Sequence, residues 1–192
     1  MVLSFETDTL ILGIGNILWA DEGFGVRCVE ALNARYEFGD DVRLMDGGTQ
    51  GLFLLPWVSS VTRLLIFDAI DFGLPAGELR LIRDDDVPRY MGAKKVSMHQ
   101  TGFQEVLASA RLLNGKPDRL ALVGVQPEQL DDYGGSLREG IRQRIPEALA
   151  LACSVLQEWG VPFRERVTPL AYVELTGPEE LEMTCYELGR PQ

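Results

Sequence analysis

The chain has 192 residues, of which 46% are hydrophobic and 24% charged, and a net charge of −11. That length favours one domain with a substantial core, and the composition is ordinary for a soluble globular protein. The acidity argues against a nucleic-acid binder, which needs clustered Lys and Arg, and no apolar run approaches the roughly 18–20 residues that span a bilayer. The N-terminus, MVLSFETDTLILGIGN, lacks a positively charged leader, and its apolar run reads as a strand. A secretory signal is therefore rejected, and a cytoplasmic protein, expected to be a monomer, follows.

Thr9–Ile14 is a short apolar run ending at glycine, the pattern of a buried strand. Residues 23–36 carry apolar side chains at mostly helical spacing. Residues 41–45 form a second strand, ended by Asp46-Gly47-Gly48, and residues 49–58 suit a short helix with Thr49 as N-cap. A third strand, residues 63–67, is closed by Asp68, and a fourth spans 77–82 after a Pro-Ala-Gly turn. A loop is expected over residues 83–98, then a helix over 101–113 capped by Gln100 or Thr101 and stopped at Asn114-Gly115. Residues 119–125 are another buried strand. A long amphipathic helix spans 136–159, and Pro146 should kink it or split it into two segments. Residues 1–162 make a single domain. Residues 163–192, with the alternating stretch LAYVEL, read as a tail that lies on the surface or adds an edge strand.

Strands interleaved with helices imply a three-layer α/β sandwich, a mostly parallel twisted sheet with helices on both faces. Ligands of such sheets bind at the carboxyl ends of the strands. There the sequence places Gly15-Asn16 and the acidic pair Asp21-Glu22, then Asp46-Gly47-Gly48-Thr49, then Asp68-Ala69-Ile70-Asp71, and His99-Gln100 just before a helix. The glycine turn is not a dinucleotide loop, because the third glycine such a loop needs is replaced near Leu18, so no nucleotide cofactor is expected. The three cysteines, Cys28, Cys153 and Cys185, are far apart and suggest neither a disulfide framework nor a zinc site.

Taken singly, Glu22 fits a carboxylate in a first helical turn and Asp46 a turn residue. Asp68 is harder to dismiss, since it ends an apolar strand and a carboxylate there needs a partner. His99 is the only histidine of the chain. Glu22, Asp68 and His99 together are a two-carboxylate, one-imidazole set that suits a borderline divalent metal such as Ni, Zn, Fe or Co with open coordination positions.

The blocks GIGNILWADEGFGV, DGGTQG, FDAIDFG, KKVSMHQTGF and LALVGVQPE, in this order, resemble those of the maturation endopeptidases of [NiFe]-hydrogenases. The likeness runs over residues 10–160. LLPWV and LDDYGGSL bring it nearest to the subgroup serving membrane-bound uptake hydrogenases, the hydrogenase-1 type. The resemblance implies an enzyme that removes a short C-terminal extension from the hydrogenase large-subunit precursor after nickel insertion. It also implies metal contacts from Glu22, Asp68 and His99, and a part in activity for Asp46. The implied metal is nickel supplied by the substrate, and the implied partner is the nickel-loaded precursor, with no nucleic acid or membrane involved.

The mechanism stays open at this point. The sequence has no HExxH, no triad spacing and no paired DTG motif. In one reading the metal polarises the carbonyl or activates water, with Asp46 as base. In the other it is a docking handle, and carboxylates, Glu22 and Asp68 included, do the acid–base work. A non-proteolytic nickel chaperone or metal-sensing module on the same fold is the competing class. A nucleoside hydrolase or phosphorylase would need an anion site, which the acidic rim disfavours.

Overall fold

The computed structural model describes residues 7–93, 98–113, 115 and 117–170, with residues 91–93 and 98–101 described by backbone alone. Its main sheet contains β1 (Thr9–Ile14), β3 (Val42–Gly48), β4 (Arg63–Ala69), β5 (Leu79–Arg83) and β6 (Arg119–Val125), in the spatial order β3-β1-β4-β6-β5. β1, β3, β4 and β6 run parallel, and β5 closes the edge antiparallel to β6. The central strands are near-continuous apolar runs because helices cover both of their faces.

One helical layer consists of α1 (Phe24–Arg35) and α6 (Ile145–Glu158), whose Phe24, Cys28, Leu32, Ala152 and Leu156 bury against Ile11, Leu65, Phe67 and Val123. The other contains α2 (Leu55–Val58), α3 (Val87–Ala93) and α4 (Met98–Leu112), with Val58, Val87, Phe103 and Val106 packed on Leu10, Leu12, Leu64 and Ile66. A small second sheet pairs β2 (Tyr36–Phe38) antiparallel with β7 (Phe163–Glu165). The three-layer sandwich is thus the expected one.

Several boundaries differ from the sequence reading for local reasons. β3 continues through Asp46, Gly47 and Gly48, because pairing with β1 carries the backbone past the apolar stretch. β4 likewise includes Asp68. Residues 49–58 form a 3₁₀ turn, Gly51–Leu54, followed by α2, and Thr49 is not the cap; the preceding residue is Gln50. The expected loop over 83–98 contains a 3₁₀ turn at Asp84–Asp86 and then α3, whose Pro88 falls in the first turn, where proline is tolerated. α4 begins at Met98, so Gln100 and Thr101 lie within the helix rather than capping it. The long C-terminal helix is two segments, α5 (Glu139–Arg142) and α6, with Pro146 in the first turn of the second. The first residues of the tail form β7, and LAYVEL beyond Leu170 lies outside the described residues.

Candidate active site

β3 and β4 flank β1 on opposite sides, so the chain changes direction across the sheet at the carboxyl end of β1. That is the switch point at which open α/β sheets bind ligands. Two glycines let the backbone close over it. Gly15 has φ +132°, and a Cβ there would fall 1.7 Å from the Glu22 carbonyl oxygen. A Cβ on Gly25 would lie 2.3 Å from the carbonyl oxygens of both Ile14 and Phe67. The 3₁₀ turn Ala20–Gly23 and the start of α1 therefore sit directly on the ends of β1 and β4. Glu22 is half-buried in that turn, and Asp68 is wholly buried in the last stretch of β4.

The acidic pair is divided between two tasks. The Asp21 side chain is buried and accepts three backbone N–H groups: Glu128 at 2.9 Å and Gln129 at 2.8 Å on Oδ2, and Arg138 at 2.8 Å on Oδ1. It pins the loop after β6 to the Glu22 turn. The loop answers through Ala20, whose N–H donates to the Gly135 carbonyl while its backbone is held at φ +39°. Such a conformation strains a non-glycine residue by about 1–2 kcal/mol and persists only where neighbours impose it. Trp19 and Tyr133 stack edge to face at 5.2 Å across the same seam.

A second clamp holds the loop after Asp68. Gln126, buried at the end of β6, accepts the N–H of Phe72 at 2.7 Å and of Leu74 at 3.1 Å, and donates to Asp71 Oδ1 at 3.1 Å. Asp71 is thereby a loop-fixing residue. Neither Asp21 nor Gln126 was singled out as structural from sequence. The polar residue directly after the apolar strand, VGVQ, was the available signal for Gln126.

Asp46 joins the rim from the β3 side. Its Oδ1 accepts the Gly48 N–H at 2.7 Å, and the Gly48 carbonyl accepts the Gly15 N–H at 3.1 Å, which ties DGGT to the glycine turn. Burial pushes the Asp46 carboxyl up to about 6; the Gly48 N–H holds it down, Glu30 raises it and Arg27 lowers it. Alternation along the strands separates it from Asp68. Val42, Leu44 and Asp46 point toward the α1 layer, whereas Leu64, Ile66 and Asp68 point toward the α4 layer. Since β3 and β4 are next-nearest neighbours, the two strand ends are roughly 10 Å apart.

α4 packs on the 3₁₀ turn Gly51–Leu54, and a Cβ on Gly102 would stand 3.5 Å from the Gly51 Cα. The first turn of α4, which carries His99, thus begins beside the DGGTQG block on the face toward which Asp68 points. The His99 side chain itself lies outside the described residues, and among the described residues no three His, Cys, Asp or Glu side chains form a metal-holding group. The turn that carries Glu22 packs against β4, whose last stretch holds Asp68, and Asp46 stands across β1 from that strand.

Residues 26–155 match the family model for hydrogenase maturation proteases. The chain is 56% identical over 182 residues to the hydrogenase expression/formation protein HoxM of Azotobacter vinelandii, covering 95% of this chain and 86% of that protein. It is 42% identical over 153 residues to the hydrogenase 2 maturation protease of Escherichia coli, covering 79% and 92%. Its fold superposes on the E. coli hydrogenase maturating endopeptidase HybD with a TM-score of 0.79 at 40% identity, over 83% of this chain and 98% of that one. A doubly wound sheet with a carboxylate-lined switch point and these relatives lead to one conclusion: the chain belongs to the hydrogenase maturation protease family and is a peptidase.

Proposed function

We propose that this protein cuts the C-terminal extension from a [NiFe]-hydrogenase large-subunit precursor, and only once nickel is in place. The observation that carries the reading is the seating of the Glu22 turn directly on the carboxyl end of β4, where Asp68 is buried. With His99 at the start of α4, these residues form the donor set for the substrate's nickel. Two carboxylates and an imidazole leave coordination positions that the precursor's own ligands can keep. The metal adds affinity that an apo precursor lacks, and each 1.4 kcal/mol of it is a factor of ten in binding.

Asp46 is the base in this proposal. A carboxylate at about 6 is ionised at neutral pH yet basic enough to take a proton from water. Its place on the α1 side of β3, roughly 10 Å from the end of β4, supports the reading in which nickel is a handle and carboxylates do the acid–base work. The scissile segment then lies over the ends of β1 and β3 while the nickel is held at β4. The protein acts as a cytoplasmic monomer, and among the described residues no helix is long and apolar enough to cross a membrane.

The test uses purified protein with nickel-loaded and apo precursor side by side. Loaded precursor loses a small mass on a gel and apo precursor stays intact. Equal cutting of both removes nickel from recognition. Tight binding of loaded precursor with no cut by the wild-type protein would make the chain a nickel carrier instead, a reading the protease family disfavours.

A further inference from the structure

Past β4 the sheet continues to β6 and β5, and between β5 and α3 lies a cavity that peptide cleavage as described above does not use. Its volume is about 510 Å³, within the range of ligand sites, and Phe72, Leu74, Arg80, Ile82 and Tyr90 are among its walls. One wall adjoins the candidate site. Asp68 pairs with Gly124 of β6, and both positions face the α4 layer, about 4.8 Å apart. A Cβ on Gly124 would stand 2.7 Å from Cζ of Phe72, so the ring takes the place of a side chain at 124, one strand from Asp68. Gln126 holds the backbone of this wall, accepting the N–H of Phe72 at 2.7 Å and of Leu74 at 3.1 Å. Tyr90 of α3 meets the Phe72 ring edge to face at 5.9 Å, yet 47% of it is exposed. Arg83 is held at two points by Glu158, whereas the half-exposed Arg80 meets Glu78 at 3.2 Å.

We propose that this cavity binds a short apolar stretch of the precursor, on the side of its nickel ligands that stays with the mature subunit. The inference rests on the reading of Glu22, Asp68 and His99 as the nickel donor set. The strand order β3-β1-β4-β6-β5 supplies both the occupant and its direction. With nickel at β4 and the scissile bond over β1 and β3, a peptide crossing the rim reaches β6 and β5 on the far side of the metal from the cut. β5 is two strands from β4, roughly 10 Å, which an extended chain covers in about three residues. The extension departs from the other side of the metal, so the stretch that enters the cavity belongs to the retained chain. There the Phe72 and Tyr90 rings offer apolar area to its side chains, and Arg80 is a donor for its backbone carbonyls. Phe72 and Tyr90 are thus specificity-determining residues that act through binding, apart from the chemistry.

The experiment measures KM and kcat for cleavage of nickel-loaded precursor by wild type, Tyr90→Ala and Phe72→Leu. Each is tested on the natural precursor and on a set in which the apolar residues flanking the cut, on both sides, are changed one at a time to alanine. Tyr90→Ala should raise KM on the order of tenfold with kcat unchanged. With wild-type enzyme, one alanine precursor altered on the retained side should show a like rise. With Tyr90→Ala that same precursor should lose little more, because the contact is already gone. Should Tyr90→Ala fail to fold, Phe72→Leu, which keeps apolar bulk over Gly124, carries the same coupling. An unchanged KM, or two effects that simply multiply, overturns the inference. So does a fall in kcat alone, which would make Tyr90 a support of the site, and so does coupling to a residue of the extension, which would put the extension in the cavity. Equal cutting of loaded and apo precursor removes the nickel reading by itself, and the coupling, read on either precursor, still decides whether the cavity binds the retained chain.

Discussion

Replacing Asp46 by Asn should stabilise the protein while disabling it. The Asp46 carboxyl ordinarily titrates at 3.8 and is raised to about 6 in the fold, chiefly by burial. A raised carboxyl binds its proton more tightly in the native state, so its contribution to stability is complete below 3.8 and is lost as pH climbs through 6. At 1.36 kcal/mol per pH unit, the ionised carboxylate costs the fold about 3 kcal/mol at pH 7.5 and only about 1 kcal/mol at pH 4.5. Asn keeps an oxygen to accept the Gly48 N–H, so that 2.7 Å bond survives the exchange. Urea unfolding of both proteins at the two pH values isolates the effect, because every other titrating group is common to the pair. The advantage of Asp46→Asn should grow by about 2 kcal/mol from the lower pH to the higher. Cleavage of loaded precursor should fall by at least about a hundredfold, the usual worth of a positioned base, with binding of the precursor retained. A stability difference that does not change with pH would refute the burial argument, and normal cleavage would sink the base assignment.

Other changes test the frame around the site. Asp21→Ala removes one acceptor from three backbone N–H groups at once and should cost about 3–5 kcal/mol, read by thermal unfolding, with faster amide exchange at Glu128, Gln129 and Arg138. Unchanged exchange there would show that the loop does not depend on Asp21. Gly25→Ala sets a methyl 2.3 Å from two carbonyl oxygens and should cost about 1–3 kcal/mol or more, with cleavage lost as the Glu22 turn lifts from β1. Wild-type stability and rate together would mean the turn has slack. His99→Ala should abolish capture of nickel-loaded precursor with stability held within about 1–2 kcal/mol, and wild-type capture should weaken as pH falls and protons compete for the ring. Unfolding of that variant would make the imidazole a packing residue and remove it from the donor set. Protein treated with chelator should keep its helical signal; its collapse would make the metal structural.

Much of the architecture was legible because burial on both faces writes itself as composition. TLILGI, RLLIFDA and RLALVGV read as strands of a mostly parallel sheet covered by helices, and Pro146 as a kink or a split in the long C-terminal helix. α3 was missed because its seven residues, about two turns with Pro88 in the first, offer no periodicity long enough to read. The direction of β5 was likewise invisible, since a strand of five residues has the same pattern whichever way it runs.

The candidate site divides the same way. Sequence alone determined which residue types border the strand ends, because a carboxylate that follows an apolar run has no other place to go. Only the tertiary structure decided what each of them faces. Asp21 and Glu22 are adjacent in the chain, yet the 3₁₀ turn sends Asp21 to three backbone N–H groups of a loop more than a hundred residues away and leaves Glu22 half-buried in a turn packed against β4. Asp46 and Asp68 each close a strand, yet the two-residue period of those strands turns one toward α1 and the other toward α4. The face a side chain takes depends on register with a neighbouring strand, and register is a property of the assembled sheet.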